Sequence, residues 1–289
     1  MKEDIEVFLE YLAAKKGCSQ NTLAAYRNDL GQLIAYIETE RAKGIIKSSD
    51  VLLKSYLLSL REKRYSPATV ARKVASAKSF FQFMVDSGKL RESPTRNLVS
   101  PRVVKHTPRF LSLSEYQRLL AEPAKLSTPE AKRGVVMLEL LYATGLRASE
   151  LVSLNVKDID LERSCVCCVH GGSKRRIPFD HHINQLLRNF LKNDRLDLLY
   201  NKDEEALFLN RRGGRLTRQG FWQIVKNYVS KAGLSNKITP HTLRHSFAAR
   251  KLQSGTDLQS VQHALGHAYI SSTRIYKQSS PLAKVINNA

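Results

Sequence analysis

The chain has 289 residues, and its hydrophobic fraction of 42% is enough to build packed cores, which argues against a disordered protein. Lysine and arginine number 47 against 26 acidic residues, so the net charge is +21 and favours a polyanionic partner, DNA or RNA first. No segment approaches the ~18 consecutive apolar residues of a spanning helix, and the N-terminus does not resemble a signal peptide. We therefore expect a cytoplasmic protein without a membrane partner.

The first part of the chain predicts a small bundle of four amphipathic helices. Apolar residues recur at helical spacing in residues 3–17, 20–44, 50–64 and 67–88. The first of these helices should end at Gly17, and the third should begin at Ser48 or Ser49. The fourth has the clearest start, with Ser66 as N-cap and Pro67 at the first helical position.

A basic segment with three prolines interrupts this periodicity. Pro94, Pro101 and Pro108 stand among lysines and arginines, a composition typical of an extended linker. We expect one domain over residues 1–90, a linker over 91–111 and a second domain over 112–289. The linker could lie along a DNA backbone or be a solvated tether.

The second part of the chain predicts a mostly helical domain with one small sheet. Ser112 and Glu115 form a capping box, and an apolar helix follows over residues 128–145. Residues 158–180 hold the one convincing strand region, "DIDLERSCVCCVHGGSKRRIPFD", and helices resume from residue 181 to residue 278. The fold class predicted is mainly α, with an N-terminal helical bundle and a mostly helical second domain carrying a small antiparallel sheet.

Four polar residues near the C-terminus are spaced as if they met at one phosphate. Pro240 starts a helix that puts His241 and Arg244 on one face, and His267 and Tyr276 follow. Alone, each has an ordinary explanation as a satisfied polar group or as packing. Together they suit attack of a tyrosine hydroxyl on a phosphodiester, because arginine stabilises the added negative charge and histidine moves protons near neutral pH. No cluster of acidic metal ligands accompanies them.

Four segments resemble the tyrosine recombinase (phage integrase) family, and its Xer-like branch in particular. They are "ATGLRASEL", "HTLRHSFAA", "LGHAYISST" and "RIY", in the family's order, and the resemblance covers essentially the whole chain. It implies a SAM-like core-binding first domain and a catalytic second domain. It also implies a catalytic set around one scissile phosphate, made of Arg147, His241, Arg244, His267 and the nucleophile Tyr276, which becomes joined to the DNA 3′ end. Tyr269 lies closer to His267 but precedes the last short helix, so the family pattern selects Tyr276.

The resemblance also implies partners and a reaction cycle. The protein should bind double-stranded DNA at a specific recombination site and exchange strands through a Holliday junction, with no cofactor, neither metal nor ATP. The assembly should be a homo-tetramer, or a hetero-tetramer with a paralogue, on two duplexes. Its role could be chromosome or plasmid resolution, or mobile-element integration and excision. A type IB-like topoisomerase and a catalytically impaired DNA-binding regulator are the alternatives, which relaxation and recombination assays would separate.

The turn of the sheet departs from the family pattern. The family usually carries a lysine there, as the general acid, in a pattern like G-K-G-x-K-x-R, whereas this chain has "VHGGSKRRIP". The lysine position falls on Gly171 or on His170, depending on the direction of counting, and Lys174 matches the second lysine. Three interpretations stay open: Lys174 swings in, His170 substitutes, or the acid has been lost.

Overall fold

The computed structural model describes residues 1–42, 49–103, 108–170 and 173–278. The chain divides into two compact units, Met1–Lys105 and His106–Ala289. Among the described helices, none is both long enough and apolar enough to span a bilayer.

The described regular elements of the first unit are all helices. The helices are α1 (Lys2–Lys16), α2 (Gln20–Ala42), α3 (Ser49–Glu62) and α4 (Pro67–Asp86). Gly17 ends α1 in the left-handed conformation that glycine tolerates, and the Ser66 hydroxyl accepts a hydrogen bond from the Thr69 amide at the start of α4. The predicted end of the second helix at residues 43–44 and the predicted start at Ser48 lie outside the described residues.

The second unit contains a longer series of elements. They are α5 (Leu113–Ala124), α6 (Pro129–Thr144), α7 (Ala148–Ser153), β1 (Ile159–Asp160), β2 (Cys165–His170), β3 (Ser173–Pro178), α8 (His181–Asn189), α9 (Arg218–Lys231), α10 (Pro240–Gln253), α11 (Leu258–Leu265) and α12 (Ser271–Gln278). A π-helical turn, Phe190–Asp194, continues α8. The prediction of a mainly α fold with a small antiparallel sheet is confirmed.

The described sheet has three antiparallel strands in the order β1-β2-β3. Its pleat separates a buried face from an exposed one. Arg175 and Ile177 on β3 are 5% and 1% exposed, while Lys174 is exposed and pairs with Val169, which is 64% exposed. Lys174 and Arg175 therefore leave opposite faces of the same strand.

The core of the second unit is built around α6. Leu138, Leu140 and Leu141 are fully buried, so this helix is apolar on nearly every side. Gly145 ends α6 with φ +64°, and a Cβ there would collide with the ring of Phe247 on α10. Glycine thus lets the end of α6 lie directly against α10, and the chain enters α7 beside that helix.

Candidate active site

Arg147 stands between α6 and α7, anchored by the first turn of α7. Its backbone amide donates to Glu150 Oε2 at 2.7 Å, and its Nη1 donates to Glu150 Oε1 at 2.8 Å. Its Nη2 donates to the Gly266 carbonyl at 2.8 Å, which ties α7 to the end of α11. The side chain is 28% exposed, so part of it is open to solvent.

Arg244 lies on α10 and is almost wholly buried, at 4% exposure. Its Nη1 donates to the Gly145 carbonyl and its Nη2 to the Leu265 carbonyl, both at 2.6 Å. Burial, and then the nearby charge of Arg147, lower the pKa of this guanidinium to about 10. It therefore stays protonated at neutral pH, held by carbonyls at the ends of α6 and α11.

We call Glu150 with its three arginines, Arg147, Arg175 and Arg244, the Glu150 centre. Arg175 donates to Glu150 Oε2 at 2.7 Å, and Arg244 Nη1 lies 3.9 Å from the same oxygen. Burial acts to raise the pKa of the Glu150 carboxyl, but the hydrogen bonds from Arg175 and Arg147 outweigh it, and the pKa is lowered. One carboxylate faces three guanidinium groups, so the centre holds two surplus positive charges.

Gly266 allows this centre to close. It ends α11 with φ +61°, and a Cβ there would lie 2.5 Å from Arg175 Nη1 and 2.9 Å from its Cζ. The backbone can therefore approach Arg175 and offer its carbonyl to Arg147. Position 266 therefore requires glycine for two reasons, namely its left-handed backbone and the lack of space beside Arg175.

His267 follows Gly266 directly and is fixed by α12. Its Nδ1 shares a hydrogen bond of 2.9 Å with the hydroxyl of Thr273, a side chain with 0% exposure. Burial, and then the charges of Arg244 and Arg147, lower the pKa of His267 to about 4. The ring is therefore neutral at neutral pH and lies beside both arginines.

Tyr276 lies in a small apolar cluster with residues of α10 and α11, and 4% of its surface is exposed. Its ring centroid is 6.3 Å from that of His267 and 5.4 Å from that of His245. The hydroxyl lies 2.8 Å from His245 Nδ1. Burial raises the pKa of Tyr276, and the charges of Arg244 and Arg147 oppose that rise without cancelling it.

His241 stands one helical turn before His245, at the exposed start of α10. Desolvation, and then the charges of Arg218, Arg244 and Arg147, lower its pKa. The structure thus gathers Arg147, Arg244, His267 and Tyr276 closely, with His241 at the outer edge.

The two candidate general acids differ in how far the structure describes them. Lys174 is exposed, on the face of β3 opposite to Arg175. His170 ends β2, paired with Ser173 in the strand register, and its side chain lies outside the described part of the chain. Tyr269 is 75% exposed, in contrast to the buried Tyr276.

Three residues of the site were not foreseen from the sequence, namely Glu150, Arg175 and His245. Two of them carried a signal: Glu150 is three residues after Arg147, and His245 is four residues after His241, both helical spacings. Arg175 carried none, because its role depends on which face of β3 it occupies. The face of a strand on which each residue lies cannot be predicted through an irregular sequence such as "HGGSKRR".

Comparison with known proteins identifies this arrangement. Residues 109–282 match the phage integrase family, and residues 5–88 match the N-terminal SAM-like domain of phage integrases. The chain is 46% identical to tyrosine recombinase XerC of Roseiflexus castenholzii, over 96% of this chain and 88% of the relative. It is 41% identical to tyrosine recombinase XerD of Oceanobacillus iheyensis, over 94% of this chain and 92% of the relative.

A solved structure shares the fold. The crystal structure of the XerH site-specific recombinase bound to a palindromic difH substrate superposes with a TM-score of 0.74 at 23% identity, covering 97% of this chain and 92% of that one. The relatives establish the family, and the superposition establishes the architecture. The chain therefore belongs to the phage integrase family and is a tyrosine-type site-specific recombinase of the Xer-like branch.

Proposed function

We propose that this recombinase cuts and rejoins DNA at a specific site through a covalent 3′-phosphotyrosine at Tyr276, and exchanges strands through a Holliday junction. The observation that carries the proposal is the Glu150 centre, whose two surplus positive charges lie beside the buried Tyr276. Surplus buried charge is costly unless an anion arrives to meet it. A phosphodiester supplies that anion, and its charge grows further in the transition state.

The residues divide the reaction between them. Tyr276 Oη forms a bond to phosphorus, the bond from phosphorus to the DNA 5′ oxygen breaks, and the phenol proton passes to a base. Arg147 and Arg244 would donate to the phosphate oxygens, since the guanidinium group of each is held in place by hydrogen bonds to the protein. His241 and His267 would exchange protons or hydrogen bonds with the same phosphate. Rejoining reverses these steps, so the phosphotyrosine conserves the bond energy and no ATP is needed.

The leaving 5′ oxygen also requires a proton. Lys174 would have to move when DNA binds in order to reach the Glu150 centre, because its side chain leaves the opposite face of β3 from Arg175. His170 is the alternative donor, at the end of β2. Replacing the leaving 5′ oxygen of the DNA by sulfur separates these two candidates, because sulfur leaves without a proton.

The partner in this proposal is double-stranded DNA carrying a recombination site, for which the charge of +21 provides long-range attraction. Four protomers, either identical or paired with a paralogue, would assemble on two duplexes in the cytoplasm. This stoichiometry is carried over from the family resemblance. The relatives' names, tyrosine recombinase XerC and XerD, support an Xer-type protein, and the family resemblance extends the proposal to resolution of joined DNA molecules.

The decisive experiment traps the covalent intermediate. A suicide substrate, nicked so that the cleaved end diffuses away, should accumulate a protein–DNA adduct with the wild-type chain. Tyr276→Phe should form none while binding DNA normally, because only the nucleophilic oxygen is lost. Tyr269→Phe is the matched control and should form the adduct at the wild-type rate. An adduct in Tyr276→Phe, mapped to another residue, would overturn the proposal, and sequencing the trapped DNA would identify the target.

A further inference from the structure

The hydroxyl of Tyr276 is held by a residue outside the catalytic set predicted from the sequence. His245 Nδ1 lies 2.8 Å from Tyr276 Oη, and the two rings are 5.4 Å apart. We propose that His245 is a positioning residue, which holds the hydroxyl in a withdrawn position in the DNA-free enzyme and must release it before attack. The inference rests on the proposed function only in taking Tyr276 as the nucleophile.

The first step is that Tyr276 cannot meet a DNA phosphate where it lies. Its side chain is 4% exposed and packs in one cluster with Phe247, Val261 and Leu265. The ring of Phe110, in the segment before α5, approaches it with a centroid distance of 6.5 Å. A phosphodiester within a duplex cannot enter such a cluster, so the tyrosine must move outward to react.

The second step is that His245 cannot be the base that activates Tyr276 in this position. Burial, and then the neighbouring His241 and Arg244, lower the pKa of His245 to about 4. The pKa of Tyr276 is raised above its ordinary value of 10.0. Moving the phenol proton to His245 is therefore unfavourable, because the pKa of the acceptor is lowered and the pKa of the donor is raised. The stable arrangement is a hydrogen bond between a neutral phenol and a neutral imidazole, which holds the tyrosine without ionising it.

The third step concerns what else fixes α12. Thr273 is fully buried, and its hydroxyl is bound to His267 Nδ1 at 2.9 Å. That contact holds the first turns of α12 independently of the tyrosine. Release of Tyr276 can then proceed by breaking the bond to His245 and rotating the end of α12, while His267 stays anchored. The His245 bond, together with the apolar packing of the ring, therefore sets how much of the time the hydroxyl is free.

The test compares His245→Ala with His245→Asn in the full chain. The amide of asparagine places an acceptor near the position of Nδ1, whereas alanine leaves the buried hydroxyl without one. We expect adduct formation, started by mixing the DNA-free enzyme with saturating suicide substrate, to be about 2- to 12-fold faster in His245→Ala, which is the worth of one ordinary hydrogen bond. His245→Asn should stay near wild type. His181→Ala, which removes an exposed histidine on α8, is the matched control.

A second measurement does not depend on catalysis. Amide hydrogen exchange in α12 of the DNA-free chain should accelerate by the same factor in His245→Ala. In a Tyr276→Phe background the same substitution should add nothing, because the bond is already gone. An additive effect there, or an adduct rate in His245→Ala equal to or below wild type, would overturn the proposal. Failure of the proposed function gives a different result, namely a wild-type chain that forms no adduct at Tyr276.

Discussion

Each unit of this protein contains a carboxylate buried beside cations, Asp29 in the first unit and Glu150 in the second, and the two arrangements differ in their charge balance. In the first unit, Asp29 is 2% exposed and accepts from Lys73 at 3.0 Å, with Lys73 4% exposed. Arg72 also contacts Asp29, but its side chain is 41% exposed and screened by water. The buried charges of Asp29 and Lys73 thus cancel.

The Glu150 centre is not balanced in this way. Arg175 and Arg244 are 5% and 4% exposed, and Arg147 adds a third guanidinium to a single carboxylate. Buried arginine alone does not mark a functional site, since Arg195 is 6% exposed and donates simply to the carbonyls of Glu204 and Ala206. What distinguishes the centre is several guanidinium groups around one carboxylate. The buried pair of Asp29 and Lys73 carries no net charge, whereas the Glu150 centre keeps a positive charge that a bound anion would neutralise.

The largest expected effect is the loss of cleavage when the general acid is removed. This acid gives a proton to the leaving 5′ oxygen, and it lies outside the Glu150 centre. Among the described residues the centre contains guanidinium groups and no lysine, so we expect the acid to come from the sheet turn. Removing it should slow cleavage about 10²- to 10⁴-fold. The measurement is the adduct rate of Lys174→Ala and of His170→Ala on ordinary DNA and on DNA with a 5′-phosphorothiolate, whose sulfur leaves without a proton.

Of Lys174→Ala and His170→Ala, the variant that lacks the general acid should regain cleavage on the phosphorothiolate DNA. The other variant serves as its control. Rescue of neither would exclude both residues and assign the proton to water or to a residue outside the turn.

The next effect tests the surplus charge directly. Arg147→Ala and Arg244→Ala should each slow adduct formation about 10²- to 10³-fold, because each removes a preorganised donor to the transition state. DNA affinity, measured by mobility shift, should change far less. Arg195→Ala is the matched control for loss of a buried arginine, and its effect should appear in stability. Cleavage within threefold of wild type would show that the arginine does not touch the scissile phosphate.

Removing each buried carboxylate charge gives a smaller effect, which separates a role in positioning the arginines from a role in stability. Glu150→Gln and Asp29→Asn each remove a buried carboxylate charge, and both should lower the free energy of unfolding of their own unit by about 3 kcal/mol. Only Glu150→Gln should slow cleavage per folded molecule, about tenfold, since Arg147 and Arg175 lose one good hydrogen-bond partner. Hydrogen exchange in each unit of the full chain reports the first quantity, and the adduct rate reports the second. Equal losses of cleavage would contradict the comparison.

The smallest effect is a difference in acid sensitivity between the units. All eight histidines lie in residues 106–289, and His245 and His267 have pKa values of about 4 when folded against an ordinary 6.5. A lowered folded pKa means that their contribution is present above pH 6.5 and is lost as the pH falls toward 4. Each ring should contribute at most about 3 kcal/mol, less what solvent screening removes. Between those pH values, the protection factors for hydrogen exchange, which correct for the pH dependence of the intrinsic exchange rate, should fall in the second unit and much less in the first.

The sequence was a good guide wherever chemistry follows local spacing. Ser66, Ser112 and Gly145 were assigned as helix boundaries from residue type alone, and each caps its helix as predicted. The set Arg147, His241, Arg244, His267 and Tyr276 was picked out from four motifs whose order matches a known family. Local patterns suffice for the caps because a cap depends on neighbours within a few positions, whereas the catalytic roles of the motif residues stay a prediction.

The tertiary structure decided everything that depends on approach between distant segments. Glu150 and Arg175 are 25 residues apart, and they meet because β3 turns that arginine inward. His245 and Tyr276 are 31 residues apart, and they meet because α12 packs on α10. Spacing along the chain can place a residue on a face of its own helix or strand. It cannot say which other face will be packed against it, because that choice is made by the shape of the whole core.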